Sequence, residues 1–198
     1  MPDKIKKSEG SNDSEKFLAN LCDKTFLKMW SYPNTFKSKG DELCDLLAVF
    51  ENHVFIFCDR SKKFDDSKDL MLAWERWKRG AIDEQLPQAR TAKKHIINNP
   101  NQIYLDAKCT QLLPIPIPTE NVIFHKIIIA KGAKDACKNF SGVEANGSLA
   151  ICYEDPAEAS GLNHPFFIFL DKNDPVHVFD EHNFEILLKE LDIMTPKI

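Results

Sequence analysis

Two short apolar runs dominate the first half of the chain. Leu43–Phe50 is apolar but for one carboxylate, Asp45, and Val54–Cys58 follows after Glu51, Asn52 and His53. Runs of this length, rich in β-branched and aromatic residues and bounded by turn formers, predict two strands joined by a tight turn. The second run ends on Asp59, Arg60, Ser61, Lys62 and Lys63. Ahead of the hairpin, Phe17, Leu18, Leu21, Phe26, Leu27 and Trp30 recur at helical spacing. They predict a helix over Glu15–Trp30 with Ser14 as its N-cap. Glu15 falls in the first turn, where the helix dipole favours an acid. Ser31–Asn34 reads as the turn that ends this helix. Met1–Asp13, rich in Lys, Ser, Asp and Gly, reads as a disordered tail.

After the hairpin, Phe64–Asp69 is a polar loop and Leu70–Ala81 a predicted helix. A break at Leu86-Pro87 precedes a second helical stretch, Gln88–Asn98. Asn99–Asn101 is a turn and Ile103–Asp106 a short strand. Gln111–Pro118 carries too much proline for a central strand and reads as an extended connector, a seam between sub-domains. Beyond it the pattern gives strands at Val122–Ala130, Ser148–Tyr153, Pro165–Leu170 and Val176–Phe179. It also gives helices at Lys131–Phe140 and His182–Leu191, the last capped by Asp180. The fold class is α/β, organised as a tail (1–13), a core (14–110) and an α+β extension (119–198).

Composition narrows the function classes. The 198 residues, 43% hydrophobic and 10% aromatic, suit one domain of ordinary size or a domain with a substantial extension. A net charge of −4 argues against a surface that grips nucleic acid everywhere, but leaves room for a local basic cleft. The most basic part of the chain holds Arg76, Lys78, Arg79 and Arg90, interleaved with Trp74 and Trp77. With Lys63 it reads as a flank contacting nucleic-acid phosphates, or else as a solvated helix face whose Trp rings pack inward. Cys22, Cys44, Cys58, Cys109, Cys137 and Cys152 form no C-x-x-C pair, and most sit in apolar runs. Free thiols in a reducing compartment follow. The N-terminus is polar and no apolar run approaches the roughly 20 residues of a membrane span, so a cytoplasmic protein without a membrane partner is expected. Phosphate-loop, dinucleotide, nucleophile-elbow and H-E-x-x-H motifs are all missing, which leaves nucleotide hydrolysis, dinucleotide redox and serine esterase chemistry unsupported. His125, His164, His177 and His182 show no metal-ligand spacing.

The chemistry suggested by the hairpin is different. An acid inside a strand that otherwise reads as buried is costly unless it binds something. Asp45 is such an acid, and Asp59 closes the neighbouring strand beside basic side chains. Acids and a base at the ends of adjacent strands suit a divalent-metal phosphodiesterase site. The alternative is a core acid satisfied by a Lys or Arg, beside an ordinary solvated strand end.

Over Ser14–Asn98 the chain resembles the PD-(D/E)xK nuclease superfamily, and within it the nuclease-related (NERD-like) domains. The order is a helix with an acid (Glu15), a strand with an acid (Asp45), a strand ending in an acid and a base (Asp59 with Arg60 or Lys62), and a helix carrying Gln85 and Gln88. The resemblance implies a restriction-endonuclease-like mixed sheet flanked by helices. In it Asp45, Asp59 and Glu15 hold Mg²⁺ or Mn²⁺, Lys62 or Arg60 stabilises the attacked phosphate, Gln85 lies near the site, and DNA is the substrate. Ser61 stands two positions after Asp59, where the family has Lys. A second reading is therefore a catalytically eroded module of the same fold that binds a protein or nucleic acid, and a third is an unrelated α/β scaffold. The C-terminal half reads as a surface for a protein partner or a second copy, and a role in defence against phage follows by analogy alone.

Overall fold

The computed structural model describes residues 10, 12–13, 15–16, 18–20, 30–142, 148–157, 161 and 163–194, with side chains in the last helix to Leu187. Its centre is a five-stranded sheet in the order β1-β2-β3-β4-β7. The strands are β1 (Ser31–Ser38), β2 (Asp41–Phe50), β3 (His53–Ser61), β4 (Ile123–Lys131) and β7 (His177–Asp180). The first three form an antiparallel meander, and β4 and β7 join parallel to β3. A separate parallel pair, β5 (Ala150–Glu154) and β6 (Phe167–Asp171), lies beyond. The sheet is thus mixed and flanked by helices, as expected for an α/β chain. It also runs across the proline-rich connector, because β4 and β7 come from residues after it.

The N-terminal helix begins at Asp13, inside the stretch read as a tail, and its cap is Asn12. Asn12 Oδ1 accepts the Glu15 N–H at 3.0 Å, which satisfies one orphan donor of the first turn, and the Asn12 side-chain amide donates to the Glu15 carboxylate. Ser14 and residues 21–29 lie outside the described residues, as do 1–9 and 11.

Ser31–Asn34, read as a turn, is the start of β1. Pro33 is tolerated there because β1 is an edge strand, where a missing N–H costs no ladder bond. Helix α1 (Leu70–Lys78) is capped by Asp69, whose Oδ1 accepts the N–H groups of Met71 (3.0 Å) and Leu72 (3.3 Å). The break expected at Pro87 falls earlier, as a π-helical turn at Arg79–Asp83. Helix α2 (Gln85–Asn98) then starts before Pro87, which sits in the first turn where its missing N–H is harmless. Ile103–Asp106 supplies only two isolated bridges, Tyr104 to Phe36 and Tyr104 to Leu112. Helix α3 (Lys134–Ser141) follows β4, and α4 (Glu181–Met194) follows β7. Asp180 caps α4 as the sequence predicts, accepting the Asn183 N–H at 2.8 Å.

Alternation along the strands divides the core between the two sheet faces. Cys58, Ile128 and Ala130 pack with Trp74 and Trp77 of α1, while Leu47 and Ile56 pack with Ala92 and Ile96 of α2. On the other face Leu46, Phe57 and Ile129 pack with Leu18 of the N-terminal helix and Phe184 of α4. Cys44, Cys58 and Cys137 are buried free thiols, Cys109 and Cys152 are half-buried, and Cys22 lies outside the described residues. Among the described residues no helix is long and apolar enough to cross a membrane.

Candidate functional site

The register of β2 against β3 runs from Phe50↔His53 to Leu46↔Phe57 and stops there. Asp45 is the next residue of β2. Its side chain takes over from the ladder, with Oδ2 accepting the Asp59 backbone N–H at 2.7 Å. The strands part at this point, and β2 beyond it follows β1 through an irregular register around Phe36. Acids gather in the opening. Asn34 is buried, with φ of 48°, a left-handed conformation that Asn tolerates better than most residues. Its amide donates to Glu15 at 3.0 Å and to Glu42 at 3.1 Å. Asp59 is fully enclosed, and Lys131 of β4 brings Nζ to 3.0 Å and 3.1 Å from its two oxygens.

The electrostatics follow from this crowding. Burial pushes the Asp45 carboxyl up to about 7, and the charges of Glu42, Asp59 and Glu15 add to the rise against the favourable Asp59 N–H. A carboxyl that half-protonates near neutrality is an acid waiting for a cation or a proton. Cys44 and Cys58, buried beside it, are held as neutral thiols, Cys44 at about 12.

Of the predicted acids, Asp45 contacts the backbone of Asp59, and the charges of Asp59 and Glu15 both bear on it. The predicted bases do not join them. Lys62 packs over the π turn, where a Cβ on Gly80 would lie 1.9 Å from its Nζ. Arg60 pairs in register with Ala130 and is exposed, as is Lys63. The reason is parity: Arg60 and Lys62 share the face of Cys58, while Asp59 shares the face of Phe57. The cation that does reach Asp59 is Lys131, from a strand more than 60 positions away by sequence, with the hydrogen bond spanning 72 residues. Gln85 is buried at the start of α2. Arg90 is paired with Asp174 at 2.9 Å, Lys78 is paired with Asp83 at 2.9 Å, and Arg76 and Arg79 are exposed.

Sequence reasoning missed Glu42, Asn34 and Lys131. Glu42 left a signal, since it lies on the same strand as Asp45; Lys131 left only its place at the end of a strong strand. It also missed two arrangements built from segments distant in sequence. Buried Lys126 meets Asp174, which Arg90 and Lys93 share. His53 Nδ1 and His125 Nε2 stand 2.8 Å apart, with the His177 ring 6.3 Å from that of His125.

Among the described residues no group of three or more His, Cys, Asp or Glu side chains stands in metal-holding geometry. The cluster shows why. The Asn34 amide sits between two of its acids and the Lys131 ammonium on another, so N–H donors occupy the space among the oxygens. The donor set itself is all oxygen and hard, which suits Mg²⁺ or Mn²⁺ rather than a soft metal. The elevated Asp45 carboxyl is the kind of strain a cation relieves. No family model, curated protein or solved structure matches this chain.

Proposed function

We propose that the protein is a metal-dependent nuclease that cleaves phosphodiester bonds in DNA, built on a restriction-endonuclease-like core. The observation that carries this reading is the meeting of Asp45, Asp59 and Lys131 where β2 and β3 part, with Glu42 and Glu15 on the rim. What supports it in the fold is a mixed sheet whose antiparallel hairpin, β2 and β3, is followed by helices α1 and α2.

Asp45 with Glu42 and Glu15 would hold Mg²⁺ or Mn²⁺, which supplies charge neutralisation at the phosphate and activation of water. Asp59 holds the Lys131 ammonium in place. Lys131, in the role first given to Lys62 or Arg60, offers a cation to the charge that develops on the phosphate. Asn34 keeps the two glutamates from spreading apart.

The competing reading is the eroded module, and one observation favours it: the Lys131 ammonium stands 3.0 Å and 3.1 Å from the two oxygens of Asp59 and hydrogen-bonds to Oδ2. Incubation of the purified chain with plasmid DNA and Mg²⁺ or Mn²⁺ separates the two. The nuclease reading predicts metal-dependent nicking that Asp45→Asn abolishes. An inert wild-type chain that still binds DNA or a protein favours the module.

A further inference from the structure

A cleft of about 550 Å³ opens on the helical side of the sheet, between α1, the π turn and β6. Glu75, Arg79, Glu154, Phe167 and Phe169 line it, together with the Lys78–Asp83 ion pair. The volume is that of an ordinary small-molecule site. The π turn is an independent pointer: such turns are rare and recur at functional sites, and this one contributes both Arg79 and Asp83 to the wall.

The chemistry of the lining selects a class of ligand. Its carboxylates, Glu75, Asp83 and Glu154, outnumber its cations, Lys78 and Arg79, so a polyphosphate or a nucleic-acid strand would meet net repulsion. Lys78 is committed to Asp83, whereas Arg79 makes no ion pair among the described residues. An exposed guanidinium is a fork shaped for a carboxylate. Glu75 uses Oε1 to accept the Asn163 amide at 2.7 Å, which fixes the carboxylate at the wall. Phe167 and Phe169 project from the same side of β6, and Phe167 is 39% exposed. Such rings take an apolar side chain or the edge of an ammonium group.

We propose that this cleft binds a zwitterionic amino acid or short peptide with an apolar side chain. The carboxylate lies on Arg79, the ammonium beside Glu75 and Glu154, and the side chain on Phe167 and Phe169. The site stands apart from the acid cluster, so the inference does not depend on nuclease activity.

Calorimetric titration of the full chain with L-phenylalanine and with glycyl-L-phenylalanine tests it, with phenethylamine and adenosine monophosphate as controls. Saturable binding of at least one of the two probes is expected, and phenethylamine, which lacks the carboxylate, should bind about tenfold more weakly or worse. Arg79→Met and Phe167→Ala, both at exposed positions, should each weaken the probe by about tenfold while circular dichroism stays unchanged. The proposal is overturned if neither probe saturates at millimolar concentration, if adenosine monophosphate binds more tightly than both, or if Arg79→Met binds as well as wild type.

Discussion

The Asp45 carboxylate accepts the backbone N–H of Asp59 at 2.7 Å, so a side chain stands where a ladder bond between β2 and β3 would otherwise form. One contact accounts for two features. It ends the pairing of the strands, and it commits a buried acid to a place where Glu42, Asp59 and Glu15 also bear on it.

Stability should carry the mark of this acid. The Asp45 carboxyl is raised from 3.8 to about 7, so the folded chain holds a proton that the unfolded chain has released. Its contribution is therefore fully present below pH 3.8 and is lost as pH rises through about 7. Relative to Asp45→Asn, the wild type should lose roughly 3 kcal/mol of unfolding free energy between pH 4 and pH 7 and level off above about pH 8. Urea denaturation of both proteins across that range measures it. A constant difference would mean that Asp45 is not perturbed.

Metal affinity should follow the opposite slope. A cation binds the ionised carboxylate, so Mg²⁺ affinity should rise by up to about tenfold per pH unit below 7 and flatten above it. Calorimetric titration at pH 5.5, 6.5 and 8 reads this directly. Affinity independent of pH would place the ion elsewhere.

Lys131→Met should be costly, because the Asp59 side chain is fully enclosed and would lose the cation that faces it. A loss of about 3 kcal/mol is expected at neutral pH. Most of that loss should be recovered in the double variant with Asp59→Asn, where nothing charged remains to be paired. A double variant whose loss equals the sum of the two single losses would show that the pair is not coupled.

Gly132 ties the end of β4 to that of β3. Its φ is +102°, and a Cβ there would lie 2.2 Å from the Lys62 carbonyl oxygen. The same turn is gripped by Glu181, which accepts the Gly132 N–H at 3.1 Å, and by the Trp77 indole, which donates to Lys62 O at 2.8 Å. Gly132→Ala should cost about 3 kcal/mol, because backbone must move rather than a side chain. Gly80→Ala should cost less, since the flexible end of Lys62 is what it meets. Thermal melts of the two variants test the ranking.

What the sequence revealed divides along physical lines. The hairpin, the strong strand read at Val122–Ala130 and the cap at Asp180 were legible because period and cap chemistry are local signals. That Asp59 and Glu15 would bear on Asp45 was readable as a possibility, because Asp45 interrupts an apolar strand and Asp59 closes the neighbouring one. The identity of the cation was not, because parity turns Lys62 toward α1 while the parallel register of β4 delivers Lys131. The start of β1 was misread because Pro33 signals a turn unless the strand is known to be at an edge. The histidine row and the Lys126–Asp174 contact draw on segments far apart in sequence, so no spacing announces them.

The most direct test compares plasmid cleavage by Lys131→Met and Lys62→Met, each beside the wild type, in Mg²⁺. Metal-dependent cleavage by the wild type is expected, reduced by about 100-fold or more in Lys131→Met and by less than about threefold in Lys62→Met. Loss of cleavage in Lys62→Met with Lys131→Met intact, or a wild type that leaves DNA uncut, would contradict the account.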